Sequence, residues 1–452
     1  MRKICVMMVL AAMAMTASAQ AYSHYSEWLV ASEMQRVAHP YNLDFSPSKA
    51  RWSYTMGIEL ESMLDTWLRY GDDRILSYIG EYPEKMISQK GAITGYKYSD
   101  FNLDNVRTGR FILRWYQRWP ERKDSIAIDE MFRQLENQPR TNEGVWWHKD
   151  IYAWQVWLDG IYMGLPFYTM AAPWLRAGKE RQYYDDAVDQ IVKTDQRTYD
   201  EATRLWKHAW DERHTMFWAN KDTGLSQHTW GRALGWFAMA LVEVLDALPQ
   251  DYERRAEVTA IFEKVMRSVV EYQQKDSGVW YDVLDVDDAR NYLEATCSSM
   301  FAYCLLKGSR LGYLDDSYRQ AGLKAYRGIV KEFVKRNADG TISLSKCCSV
   351  SGLGPDSNPK RDGSFEYYMS EPVRDNDAKG VGPFVWASLE MELMGYDVNN
   401  LEQDLTGVAP VRAGGATTPA TSPAMYDLQG RRVGAGYRGV VISGGRKAKV
   451  NR

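Results

Sequence analysis

Cysteine is scarce: five in 452 residues, and Cys5 lies in the leading apolar stretch. Cys297, Cys304, Cys347 and Cys348 are too few for a disulfide framework in so long a chain. No histidine stands beside them at zinc spacing, so no zinc site is expected. An excess of one charge is also missing. The 56 Lys and Arg against 59 Asp and Glu give a net charge of −3, with no basic surplus for phosphates, so no nucleic-acid partner is expected. The one marked apolar run, Ile4–Met15, is too short to cross a bilayer, and nothing later replaces it. There is no phosphate loop, no serine-centred elbow and no HExxH. Nothing implies a cofactor or a metal.

What is abundant is aromatic surface. Seventeen Trp and 29 Tyr are many for a core alone, and flat rings with polar edges suit the C–H faces of sugars. The N-terminus reads as a signal peptide over residues 1–19: Arg2 and Lys3, the short apolar run, then Ala17-Ser18-Ala19 before a mature start near Gln20. The chain is therefore expected to be exported, to the periplasm, the cell surface or the medium. A monomer is the default expectation.

From 20 to 405 the periodicity is helical. Helices are expected over Gln20–Val37, Trp52–Tyr70, Asp73–Ile87, Asp104–Trp119, Ile126–Glu136, Tyr152–Tyr168, Arg181–Tyr199, Trp230–Leu248, Tyr252–Gln274, Tyr292–Leu311, Asp316–Val334 and Pro383–Tyr396. Pro40–Lys49 reads as a loop, and no run of period-two strands interrupts the series. Paired long helices predict an all-α fold, an (α/α)6 barrel. An open array would need polar end caps that are not evident. Residues 406–423, rich in Gly, Ala, Thr and Pro, read as a linker. In the basic tail, 424–452, Ala424–Gln429 and Gly439–Val450 read as strands, with Gly444-Gly445 as a hairpin turn.

The stretch WWHKDIYAWQVWLDGIYMGLPF, Trp146–Phe167, is the most informative. Read as a helix, it is apolar nearly all round and hence buried. Asp159 would then point into an aromatic enclosure, where burial raises a carboxyl pKa toward neutral and suits it to proton transfer. The same residues fit a structural Asp that accepts from a neighbouring Trp N–H. Gly160 costs stability in a helix unless something approaches it closely. Asp104, Asp159 and Asp211 lie 55 and 52 positions apart, one hairpin each, which predicts that the three gather at one end of the ring. Asp104, in Asn102-Leu103-Asp104-Asn105, fits a helix N-cap equally well. The segment Lys207–Phe237 holds His208, Trp210, Asp211, Trp218, Trp230, Arg232 and Trp236. Arg232 between two tryptophans suits a carboxylate ligand, or else a core arginine stacked on rings and paired with a structural acid.

Together, WLDGIYMGLPF, HAWDE…WANKDTG, WGRALGWFAMALVEVLD, NYLEATCSSMFAYCL and DGSFEYYMSEPVRDNDAKGVGPF resemble the unsaturated rhamnogalacturonyl hydrolases of glycoside hydrolase family 105, from about Trp52 to Tyr396. The unsaturated glucuronyl hydrolases of family 88 are closely related. The resemblance implies an (α/α)6 barrel and hydration of the C4=C5 bond that polysaccharide lyases leave on a terminal uronate. Asp159 matches the acid/base and Asp104 a second active-site acid. His148, Trp157, Met163, His208, Trp230, Arg232 and Trp236 match pocket residues, with Lys149 and Tyr54 as further matches. The implied substrate is an unsaturated uronyl oligosaccharide, rhamnogalacturonan fragments first, with ulvan, arabinogalactan or glycosaminoglycan products as alternatives. The tail, AMYDLQGRRV…GVVISGGRKAKV, resembles the C-terminal sorting tails of type IX secretion. The residues alone also fit an inverting glycosidase using Asp104 and Asp159 about 6.5–9.5 Å apart, or a non-catalytic sugar-binding barrel.

Overall fold

A computed structural model of the chain describes residues 22–44 and 49–401, and four strands between 425 and 450. The expected signal peptide and linker lie outside the described residues.

Fourteen α-helices are described, besides three short 3₁₀ turns at Pro40–Asn42, Tyr98–Asp100 and Asp150–Tyr152: α1 (Tyr25–Arg36), α2 (Tyr54–Tyr70), α3 (Asp73–Met86), α4 (Asp104–Arg107), α5 (Gly109–Tyr116), α6 (Arg122–Glu136), α7 (Leu158–Leu175), α8 (Glu180–Thr198), α9 (Gly231–Ala247), α10 (Arg255–Glu271), α11 (Ala295–Arg310), α12 (Asp316–Phe333), α13 (Phe365–Ser370) and α14 (Ala378–Leu393). The pair α4/α5, then α7, α9, α11, α14 and α2, pack each on the next and close a ring. Helices α1, α3, α6, α8, α10 and α12 pack outside it. This is the (α/α)6 barrel. The inner helices α7, α9, α11 and α14 are buried over most of their length, which explains why their sequences are apolar nearly all round rather than striped.

Polar capping sets the starts. Ser53, Asp72, Glu294, Asp315, Ser364 and Asp377 accept from the first turns of α2, α3, α11, α12, α13 and α14. The helix expected from Pro383 therefore begins at Ala378, with the proline inside it, and the one expected from Tyr292 begins at Ala295. Asp104–Trp119 is two helices meeting at Thr108, whose hydroxyl donates to the Ser53 carbonyl (2.8 Å). Gly57 permits that approach: a Cβ there would lie 2.6 Å from Thr108 Oγ1.

Two corrections bear on the site. The helix expected over Tyr152–Tyr168 starts only at Leu158. Trp154 has a left-handed backbone (φ +66°), and Gln155–Trp157 is a strand paired antiparallel with Ala209–Asp211. Short strand pairs also join Tyr199–Asp200 to Leu205–Trp206, Val334–Arg336 to Ile342–Leu344, and Cys347–Cys348 to Val373–Arg374, where none was expected. Period-two patterning is not legible in two or three residues.

An ion cluster ties the inner ring together. Glu61 of α2 pairs with Arg107 (2.9 Å), Arg110 (3.0 Å) and Arg114 (2.9 Å). Arg110 also reaches Glu243 of α9, and Arg114 reaches Asp65, which accepts from Trp386 of α14 (2.9 Å). Arg107 donates to the Tyr162 hydroxyl of α7 (2.9 Å). Burial opposes ionisation of Glu61, yet Arg110, Arg107 and Arg114 together hold its carboxyl down to about 2.

The expected tail strands are present. Gly439–Ser443 pairs with Arg446–Val450, and the turn expected at Gly444-Gly445 lies outside the described residues. Met425–Asp427 and an unexpected Arg432–Val433 complete a four-stranded antiparallel sheet. Among the described residues no helix is long and apolar enough to cross a membrane.

Candidate active site

Inner and outer helices alternate along the chain, so the inner helices run the same way and their first residues converge at one end. Tyr54 opens α2, Asp104 opens α4, and Asp159 is the second residue of α7. Trp230 precedes α9 as its N-cap residue and Arg232 is the second residue of that helix. Helix N-termini carry partial positive charge, so this end favours an anionic group.

The two acids differ in their partners. Lys149 Nζ lies 2.5 Å from Asp104 Oδ2, and His148 Nε2 lies 3.5 Å from Oδ1. Burial opposes ionisation of Asp104, but Lys149 and then His148 outweigh it and hold the carboxyl below its usual range. Asp104 is not an N-cap. Leu103 occupies that position, and the Asp104 N–H donates to Asn102 Oδ1 (3.0 Å).

His148 sits within the fields of both acids, and burial pushes its pKa down to about 4, so it is neutral near pH 7. Its ring stacks on Trp157 (4.8 Å, 11°), which stacks in turn on Tyr152 (4.6 Å). Trp157 Nε1 donates to Gln155 Oε1 (3.0 Å). The glycine after Asp159 now has its reason: a Cβ on Gly160 would lie 2.9 Å from His148 Nδ1. Tyr152, Trp157, Ala209, Trp218, Ala219 and Leu353 form a small apolar cluster separate from the main core.

Asp159 has no lysine or arginine within ion-pair distance among the described residues. Its Oδ2 lies 3.3 Å from His208 Nε2. Both atoms are shut off from solvent and neither has an aligned hydrogen bond among the described residues. Among the described residues no tryptophan N–H reaches Asp159: Trp157 donates to Gln155, and Trp230 to Asp282 Oδ1 (3.0 Å). The second nitrogen of His208, Nδ1, is 2.9 Å from the Tyr368 hydroxyl. Sequence reading missed Tyr368 as a site residue, although it lies inside one of the matching motifs, because 160 positions separate it from His208.

Arg232 lies over the Trp230 ring (4.4 Å) and donates to the Cys348 carbonyl, while its Nε is buried without a partner among the described residues. Trp236 is not on its other side. It stacks on Tyr162 (4.8 Å, 17°) and meets Tyr54 edge-on (6.4 Å), so it backs the site from the core. Met163 is 1% exposed and belongs to the main core one turn beyond Asp159. Asp211 does not join the other two acids. Its carboxylate accepts from the Thr215 (2.7 Å), Met216 (2.8 Å) and Arg213 (3.1 Å) backbone N–H groups and organises that turn. Asp282, also missed, is fully buried: burial and then Glu294 push its carboxyl up to about 8.

The model of Glycosyl Hydrolase Family 88 matches residues 25–395. The structure of a family 105 glycoside hydrolase of C. acetobutylicum is 38% identical, covering 82% of this chain and 99% of that one, with a TM-score of 0.76. The chain belongs to the family 88/105 glycoside hydrolases. This glycoside hydrolase is also 28% identical over 214 residues to the unsaturated rhamnogalacturonyl hydrolase YesR of Bacillus subtilis, covering 46% of this chain and 56% of that protein. The unsaturated glucuronyl hydrolase of Bacillus sp. GL1 shares the hydrolase's fold at 13% identity (TM-score 0.60, covering 81% of this chain and 95% of that one).

Proposed function

We propose that the enzyme removes a terminal 4,5-unsaturated uronate from polysaccharide-lyase products by hydrating the C4=C5 bond. The observation that carries this reading is the inequality of the two acids. Asp104 is paired with the Lys149 ammonium, which holds its carboxyl below the usual range, whereas Asp159 has no lysine or arginine within ion-pair distance among the described residues and faces His208. A vinyl-ether hydration needs one mobile proton on one carboxyl group. Asp159 donates it to C4, and positive charge develops at C5 and the ring oxygen. Water adds at C5 and returns a proton to Asp159. The resulting hemiketal opens and releases the neighbouring sugar. Asp104 orients the substrate or steadies the developing charge. Trp157 and Tyr54 offer ring surface, and Arg232, with the helix N-termini, favours the uronate carboxylate. No metal or cofactor takes part in the scheme.

Within that class we favour rhamnogalacturonan fragments, for which the long motifs of the first section and the likeness to YesR are the support. The proposed setting is outside the cytoplasm, on the strength of the leader and tail sequences. The test is a panel of lyase products followed by ultraviolet absorbance, because the conjugated C4=C5 bond absorbs and its hydrate does not. Faster loss with rhamnogalacturonan products than with ulvan, arabinogalactan or glycosaminoglycan products supports the assignment. The reverse order keeps the chemistry and replaces the substrate.

A further inference from the structure

We propose that Tyr368 is a positioning residue for this reaction: its hydroxyl donates to His208 Nδ1, fixes His208 as the Nε2–H tautomer, and so reserves Asp159 Oδ1 for the transferred proton. The inference rests on the reading of Asp159 as the acid/base. Tyr368 and His208 are both fully buried, and their 2.9 Å contact is the one hydrogen bond recorded for either side chain among the described residues. A phenol that accepted from Nδ1–H would leave its own proton buried without an acceptor, which is costly. Burial keeps the phenol protonated. The hydroxyl therefore donates, Nδ1 accepts, and the ring N–H lies on Nε2.

That proton faces Asp159 Oδ2, which is buried and otherwise unpartnered among the described residues. A small rotation closes the 3.3 Å contact into a hydrogen bond, the tightening expected when substrate fills such a site. Oδ2 then serves as an acceptor, and a proton taken up by Asp159 goes to Oδ1. Position is enforced by packing: Tyr368 lies against Trp230 (6.2 Å, 24°), and Ser364 caps α13 beneath it. The charged or titratable groups that bear on this pair are Asp159 from α7, His148 from the loop before it, and Tyr367, Asp282 and Asp285 on the Tyr368 side.

The experiment is selective 15N labelling of histidine, six in the sequence, with the His208 resonances assigned by His208→Asn. The wild-type enzyme is expected to show a bare Nδ1 and a protonated Nε2 at pH 7. In Tyr368→Phe the ring is free to take the other tautomer, which places the Asp159 proton on Oδ2. The expected result is a changed tautomer signal and a kcat lower by about 10- to 100-fold, with KM within about threefold. Tyr367→Phe removes a neighbouring hydroxyl that meets Gly352 rather than His208 (2.9 Å), and leaves the His208 signals unchanged. A protonated Nδ1 in the wild type overturns the proposal even if Tyr368→Phe fails to fold. So does a folded Tyr368→Phe with unchanged tautomer and kcat. If the wild type hydrates no unsaturated uronide, the functional reading fails, and the spectrum still decides the tautomer.

Discussion

Lys149 Nζ stands 2.5 Å from Asp104 Oδ2, and this contact gives Asp104 a cation that Asp159 lacks among the described residues. Lys149 holds the Asp104 carboxyl below its usual range, which under the proposed function leaves Asp159 as the mobile acid. Lys149→Met removes the cation that lowers the Asp104 pKa, so the pKa rises. The acid limb of kcat/KM against pH is expected to move to higher pH, with activity above pH 7 affected least. An unmoved limb contradicts the division of roles.

His148 predicts a stability slope. An unfolded histidine takes up a proton below about pH 6.5, whereas folded His148 remains neutral down to about 4. Between those values the unfolded state binds more protons, so stability falls as pH drops through this window and levels off below it. The gap corresponds to roughly 3 kcal/mol, an order-of-magnitude figure. Urea unfolding at pH 7 and pH 5 should show part of this loss in the wild type and less of it in His148→Gln.

Gly160→Ala would normally help a helix by about 0.5–1 kcal/mol. Here the added methyl meets His148 Nδ1 at 2.9 Å and Leu103 Cδ1 at 3.1 Å. We expect no gain in Tm and a fall in kcat of about 10-fold or more, because His148 must move. A stabilised, fully active variant would show that His148 need not sit there.

These particulars mark what the sequence could disclose. The helical stripes and hairpin spacing gave the ring, and two of the tail segments, Ala424–Gln429 and Gly439–Val450, were legible as strands. Gln155–Trp157 was not, since a three-residue strand is fixed by its partner, Ala209–Asp211, and not by its own pattern. Hairpin spacing placed Asp104 and Asp159 at one end but misled for Asp211, whose role depends on three backbone N–H groups that spacing does not reveal. Trp236 and Met163 lie one turn deeper than Arg232 and Asp159 on the same helix faces and are buried in the core, a difference of depth that residue type does not encode. Tyr368 was hidden by distance along the chain.

Glu61→Gln tests the barrel apart from the chemistry. It removes the anion that three arginines share; Arg110 keeps Glu243 and Arg114 keeps Asp65, but Arg107 is left buried without a carboxylate, at a cost of about 3–5 kcal/mol. The variant should unfold at lower urea concentration than the wild type, by a wider margin than Asp159→Asn. Equal stability would mean that the cluster does not hold the ring.

The most direct test of the account compares wild type and Asp159→Asn on lyase-generated unsaturated oligosaccharides, with a saturated glycoside of the same sugars alongside. Hydration predicts that the wild type abolishes the ultraviolet absorbance and leaves the saturated glycoside intact. Asp159→Asn should slow the absorbance loss by about 100-fold or more while substrate still quenches tryptophan fluorescence. Cleavage of the saturated glycoside with the absorbance retained, or an Asp159→Asn enzyme as fast as the wild type, would contradict it.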